Sequence, residues 1–227
     1  MTQGSSNHIR MFHIHKNYGA KTALSDISLD VEKNEFLFIS GPSGAGKTTL
    51  LKLLYLGETA TEGQILIDGV NLARIARNKI PPLRRKFGII FQDYKLIPTK
   101  TVFDNVALVL DAQGKSRRII GKKVNSVLRT VGMEDRKKAY PPSLSGGEQQ
   151  RVAVARAVAG DPSIILADEP TGSLDAASAD VIMSFFKRFH KNGATVIVAT
   201  HDKRLIQQSQ GRILFLKDGR MSDVSTI

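Results

Sequence analysis

The stretch FLFISGPSGAGKTTLLKLLY, residues 36–55, decides the fold. FLFIS (36–40) runs directly into GPSGAGKT (41–48), and a leucine-rich segment follows. A short unbroken apolar run is what a strand shows when both its faces are buried, as in a parallel sheet. GPSGAGKT fits G-x-x-x-x-G-K-[ST] between a strand and a helix, the context that gives the pattern its meaning. Gly41, Gly44 and Gly46 permit the turn and let backbone N–H groups wrap phosphate oxygens. Lys47 is placed to reach β- and γ-phosphates, and the Thr48 hydroxyl can ligate Mg²⁺. Ser43, Gly44, Ala45, Gly46, Lys47, Thr48 and Thr49 are the candidate nucleotide contacts of this loop. A glycine turn that only caps a helix has no use for the Lys-Thr pair.

A phosphate loop of this type needs a carboxylate at the end of a neighbouring buried strand. SIILADEP (163–170) supplies Asp168 and Glu169. Adjacent carboxylates are costly to ionise together unless a cation is near. Asp168 suits the magnesium role, and Glu169 suits the polarisation of an attacking water. TVIVAT (195–200) repeats the pattern and is followed by His201. Gln92 ends FGIIFQ (87–92) and is a third polar residue at the same sheet edge, able to reach Mg²⁺ or the water. Ligands bind at the carboxyl ends of parallel strands. The set predicts a hydrolase of a nucleoside triphosphate that uses Mg²⁺, with Glu169, His201 and Gln92 as catalytic candidates and Thr48, Gln92 and Asp168 as metal candidates. The guanine-reading N/T-K-x-D motif of GTPases is missing.

LSGGEQQR (144–151) remains unexplained by that site. Ser145 and Glu148 have the spacing of a capping box. A helix N-terminus offers N–H donors and the positive end of a dipole to an anion. This makes a second phosphate-binding surface about a hundred residues from the first, useful only on the opposite side of the phosphate chain.

GPSGAGKT, Gln92, LSGGEQQ, ADEP, SLD (173–175) and His201, in this order, resemble the ATP-binding-cassette ATPases from about Ile9 to Met221. The resemblance implies a head-to-tail homodimer with ATP sandwiched between the phosphate loop of one copy and the signature of the other. It implies that Tyr18 stacks on adenine and that Ser145, Gly146, Gly147 and Glu148 face the partner copy's γ-phosphate. Asp175 would lie at the seam, and His201 would sense the γ-phosphate. YKLIPTKTVFDNVALVL, LLKLLY and ADEPTGSLD look like the cell-division members of the family. Those pair with an FtsX-type integral membrane protein and influence cell-wall hydrolases. ATPases of lipoprotein-release and macrolide-export systems share TG-x-LD and are the nearest competitors.

The whole chain fits this reading. Its 227 residues suit one domain with a subdomain, and it contains no cysteine. No apolar run approaches the roughly 18 residues that span a bilayer, so membrane work would need a permease-type partner at the inner, cytoplasmic face. Residues 1–8 are polar and read as a flexible tail. The net charge is +12, and residues 74–138 hold 17 Lys or Arg against 5 Asp or Glu, which is the entire excess. That face suits anionic headgroups or an acidic partner. Arg84 and Arg85 are its candidate partner-facing pair, whose charge reversal should spare ATP binding. No aromatic interleaving accompanies the charge, so nucleic acid is not expected. Neither a long coiled coil nor a second cassette is present, which disfavours a soluble DNA or ribosome clamp. Intact Glu169 and His201 disfavour a vestigial binding module.

The predicted fold is α/β, a mixed sheet core with an N-terminal antiparallel part and an inserted helical subdomain. Strands are expected at 11–15, 27–31, 36–40, 64–69, 87–92, 163–168 and 195–200, and a closing hairpin at 211–221. Helices are expected from Gly46 to Tyr55, within 101–158, and over 176–193. The core would comprise residues 9–92 and 161–227, and the helical subdomain 93–160.

Overall fold

The computed structural model describes residues 7–207 and 211–226. In chain order the elements are β1 (Asn7–Tyr18), β2 (Lys21–Glu32), β3 (Phe36–Ser40), α1 (Lys47–Leu54), β4 (Glu62–Ile67), β5 (Val70–Asn71), α2 (Ile80–Arg84), β6 (Phe87–Ile90), α3 (Val102–Ala112), α4 (Arg117–Thr130), α5 (Gly146–Val158), β7 (Ile164–Asp168), α6 (Ala176–Lys191), β8 (Thr195–Ala199), α7 (Lys203–Gln207), β9 (Arg212–Lys217) and β10 (Arg220–Thr226).

Two sheets form. An antiparallel sheet has the order β2-β1-β4-β5, and a larger one the order β10-β9-β3-β8-β7-β6. In the larger sheet β9, β3, β8, β7 and β6 run parallel, and β10 closes the edge antiparallel to β9. Its central strands separate two cores by simple alternation. Phe36, Phe38, Ile165, Ala167, Val196 and Val198 join the helices α3 to α6 on one face. Leu37, Ile39, Ile164, Leu166, Ile197 and Ala199 join α1 and the antiparallel sheet on the other. Both faces are covered, which is why these strands carry no polar alternation. All five residues of β3 and all five of β8 are buried.

The consequence for the site is geometric. The parallel strands β3, β6, β7 and β8 end at one edge, so Ser40, Ile90, Asp168 and Ala199 deliver the residues that follow them to one place.

Three expectations change. Asn7 and His8, expected in a tail, belong to β1: His8 is buried at 4% exposure, and its Nδ1 lies 2.8 Å from Thr195 Oγ1 of β8. Residues 1–6 of the expected tail lie outside the described residues. The basic stretch before β6 contains helix α2, whose Pro81 and Pro82 sit in the first turn, where their missing N–H groups cost nothing. Arg84 and Arg85 are not idle surface charges. Arg84 donates to the Tyr55 and Leu56 carbonyls at 3.2 and 2.8 Å, and Arg85 to Ala112 O at 3.2 Å.

Candidate nucleotide site

The loop between β3 and α1 is shaped by its glycines. Gly41 has φ 148°, and a Cβ there would lie 2.0 Å from the Leu216 carbonyl oxygen of β9. Gly46 has φ 107°, and its Cβ would lie 2.7 Å from Ala23 O. These two positions require glycine because backbone already occupies the space a side chain would take. Lys47 is 6% exposed, and its ammonium donates to Gly41 O at 2.8 Å and Pro42 O at 3.1 Å.

Glu169 follows β7 with φ 45°, an uncommon conformation for a residue with a Cβ. Its N–H donates to Ala199 O of β8 at 2.8 Å, which holds the strained turn in place. The carboxylate faces back across the sheet edge. Its Oε1 lies 3.3 Å from Lys47 Nζ and 3.0 Å from His201 Nδ1, and Oε2 accepts from the His201 N–H at 3.4 Å. An ionised carboxylate only accepts, so His201 presents its proton on Nδ1 and leaves Nε2 toward solvent.

Asp168 sits deeper. Burial is the largest influence on its carboxyl and raises its pKa above the ordinary value; a hydrogen bond from Thr48 opposes this, and neighbouring Glu169 adds to it. Its Oδ1 is buried without a hydrogen-bond partner. A buried acceptor with no donor, beside a hydroxyl, fits a divalent cation. Thr48 and Asp168 would hold Mg²⁺ there with Gln92 in reach, and the ion would supply charge neutralisation for phosphate oxygens. Among the described residues no group of three or more His, Asp or Glu could hold a metal ion.

A cleft of about 680 Å³ gathers most of the predicted residues: Tyr18, Ser43, Gly44, Gly46, Lys47, Thr48, Thr49, Gln92, Glu169 and His201. Tyr18 stands at its rim, 42% exposed, with Lys16 Nζ 4.6 Å from the ring centroid. Ala45 does not line it. That residue is buried, donates its N–H to Pro42 O at 3.2 Å and accepts from Gly219 N–H at 3.1 Å.

The signature lies elsewhere. Ser145 caps α5: its Oγ accepts from Glu148 N–H at 3.2 Å, and Glu148 Oε2 accepts from Ser145 N–H at 2.9 Å. These contacts hold the Glu148 pKa below the usual range. Ser145, Gly147 and Glu148 border a separate depression of about 190 Å³ with Ser178. Gly146 faces the Tyr94 hydroxyl, 3.1 Å from where a Cβ would be. Asp175 caps α6, its Oδ1 accepting from Ser178 N–H at 2.8 Å and its Oδ2 from the Ser178 hydroxyl at 2.7 Å. That cap lowers the Asp175 pKa. One chain therefore carries a phosphate loop and a signature that do not share a cleft.

Six residues that no motif singles out complete the cleft. Lys21, Thr22, Ala23, Pro42, Asp218 and Gly219 also border the cleft. Gly219, in the β9–β10 turn, gives its N–H to Ala45 and takes the Ser25 N–H at 2.8 Å, so the closing hairpin staples the phosphate loop to β2. Lys217-Asp218-Gly219 has the composition of a turn within the expected hairpin, but nothing local tells that it packs there.

The ABC transporter family model matches residues 24–172. The chain belongs to the ABC transporter family. The cassette is 42% identical over 213 residues to the cell division ATP-binding protein FtsE of Bacillus subtilis, covering 93% of each chain. It is 44% identical over 214 residues to the FtsE of Escherichia coli K12, covering 94% of this chain and 96% of that one. Among solved structures it is similar to the dimeric structure of MJ0796, a bacterial ABC transporter cassette. The TM-score is 0.90 at 36% identity, over 96% of this chain and 98% of that one. A second structure of MJ0796, dimeric and bound to ADP and Pi after hydrolysis, aligns with TM-score 0.89 at 35% identity, over 96% and 98% of the two chains. The cassette is an ATP-binding, ATP-hydrolysing subunit with the ABC fold. Among its described residues no helix is long and apolar enough to cross a membrane.

Proposed function

We propose that the cassette is the ATPase of a cell-division complex of the FtsE type. Two copies enclose ATP between the phosphate loop of one and the signature of the other, and an FtsX-type membrane protein at the inner face of the cytoplasmic membrane receives the motion. The observation that supports the dimer is the separation of the two phosphate-facing surfaces within one chain. Lys47 and its loop border the large cleft, whereas Ser145 and Gly147 border another. Each surface alone is half of a site.

Within the composite site the roles follow from the geometry. Lys47 exchanges its bond to Glu169 for phosphate oxygens. Glu169, released from that cation, takes a proton from the attacking water at Oε1. His201 keeps the carboxylate aimed through its Nδ1–H before phosphate arrives and faces the terminal phosphate once Glu169 is released. Thr48, Asp168 and Gln92 hold Mg²⁺. Tyr18 stacks on the adenine. Ser145 and the N–H groups opening α5 face the γ-phosphate from the second copy, where a helix N-terminus favours an anion by about 0.3–1 kcal/mol when exposed. Asp175 lies at the seam.

Exposed Arg74, Arg77, Lys79, Lys115, Arg117, Arg118 and Lys122 pair with no carboxylate among the described residues, and they suit an acidic or lipid-facing surface. Depletion in the source organism tests the assignment. Filamentous or misdivided cells support it; lipoprotein mislocalisation or drug sensitivity with normal division assigns the cassette to a related transporter instead.

A further inference from the structure

The loop from Gln92 to Lys100 is held by three separate devices. Asn105 of α3 is fully buried. Its Oδ1 accepts from Ile97 N–H at 2.8 Å, and its Nδ2 donates to Ile97 O, Lys100 O and Thr101 O at 3.0–3.1 Å. This fixes the far end of the loop. Tyr94 Oη lies 2.8 Å from Ser173 Oγ, which ties the near end to the segment before Asp175. The third device is Arg156 of α5. Its Nη1 donates to Lys95 O at 2.5 Å and its Nη2 to Tyr94 O at 2.6 Å.

Arg156 stands out on chemical grounds. Its surroundings lower the guanidinium pKa, burial being the cause, and among the described residues no carboxylate pairs with it. A half-buried cation that forks onto two loop carbonyls, with no carboxylate to neutralise it, is costly unless the position of those carbonyls matters. Tyr94 and Lys95 have φ of 58° and 49°, a turn that side-chain-bearing residues avoid, and the fork holds both. Gln92 lies two residues before this turn, exposed in the nucleotide cleft. Arg156 is carried on the same helix that Ser145 caps, so movement of the signature moves the fork.

We propose that Arg156 is a positioning residue for ATP hydrolysis: it fixes Gln92 by clamping the Tyr94–Lys95 turn, and so links the Gln92 loop to the signature helix. The inference rests on the proposed role of Gln92 at Mg²⁺ or the water. A two-pronged fork is specific to arginine, since lysine offers a point charge in its place.

The test is a double-mutant cycle of Arg156→Met and Gln92→Ala, with Arg156→Lys as a milder probe. Steady-state ATP hydrolysis is read with an Mg²⁺ titration and a direct ATP-binding measurement. Arg156→Met should lower kcat about tenfold or more, raise the Mg²⁺ concentration for half-maximal rate, and leave ATP binding within about twofold. Arg156→Lys should fall between. The double variant should be no slower than Gln92→Ala alone. If the Arg156→Met chain fails to fold, Arg156→Lys with Gln92→Ala carries the same cycle. If the two losses multiply, or ATP binding and kcat fall together, Arg156 is structural and the proposal is overturned. If Gln92→Ala alone leaves kcat and the Mg²⁺ dependence unchanged, the reading of Gln92 fails and the proposal with it. If Gln92→Ala slows the enzyme and Arg156→Met does not, only the proposal fails.

Discussion

Lys47 and Glu169 form an ion pair, Nζ to Oε1 at 3.3 Å, with both side chains largely buried at the end of the sheet. In the proposed mechanism incoming phosphate replaces Glu169 as the partner of Lys47, and the same exchange frees the carboxylate for the attacking water, so that nucleotide binding and activation of the base are one rearrangement.

That exchange predicts opposite behaviour for the two residues. Lys47→Ala should weaken ATP binding by the isolated chain about a hundredfold or more. Glu169→Gln offers Lys47 a neutral competitor, so it should bind ATP at least as tightly as wild type while losing nearly all turnover. Calorimetric titration alongside phosphate release checks both. A Glu169→Gln chain that hydrolyses ATP at the wild-type rate removes Glu169 from the mechanism.

Asp168 makes a prediction about pH. Its pKa in the folded chain lies above the ordinary 3.8 because burial disfavours the ion. Between those two values the folded chain holds a proton that the unfolded chain has lost. Stability contributed by this group therefore falls as pH rises through that window, and the buried charge is a cost at neutral pH. Asp168→Asn should raise the melting temperature at pH 7, at about 2–4 °C per kcal/mol for a chain of this size. The gain should shrink as pH is lowered through the raised pKa. Mg²⁺ with ATP should stabilise wild type more than the variant. Melting curves across pH check this, and an unchanged or lower midpoint at pH 7 contradicts it.

Gly41 tests the staple between the closing hairpin and the phosphate loop. Gly41→Ala places a methyl 2.0 Å from Leu216 O at φ 148°, where neither neighbour is a movable side-chain tip. The strain of such a backbone alone is roughly 1–3 kcal/mol, and the clash adds to it. Chemical denaturation should show a loss of that size or larger, accompanied by loss of ATP binding. Gly44→Ala meets nothing within 4 Å of the new Cβ and bears only the backbone penalty of φ 79°, so its loss should be the smaller of the two.

Much of the fold was legible because its signals are local. β3, β7 and β8 are largely apolar runs buried on both faces, and β7 and β8 run into Asp168-Glu169 and Thr200-His201 at their ends. The capping box at Ser145 and Glu148 was readable from spacing and is present. What escaped reading depends on distant partners. Arg156 and Asn105 look like ordinary helix residues until the loop they hold is in place. Gly219 looks like a hairpin glycine until it meets Ala45. Gln150 is fully buried, and its Nε2 donates to Pro170 O at 2.6 Å, joining the signature helix to the turn after Glu169. Arg84 and Arg85 were read as surface charge because sequence shows charge but not the carbonyls at 3.2 Å or less that engage it. Reversing them should now destabilise the chain as well as alter its surface, which makes Arg117 and Arg118 the cleaner pair for testing partner association.

In the proposed dimer Ser145 acts on ATP held by another copy. Sedimentation velocity of the Glu169→Gln chain, with and without Mg²⁺ and ATP, tests it most directly when repeated with Ser145→Arg added. The account predicts a monomer without nucleotide and a dimer with it. The double variant should bind ATP with unchanged affinity and stay monomeric. A Glu169→Gln chain that remains monomeric at saturating ATP, or a double variant that dimerises as well as the single one, would contradict it.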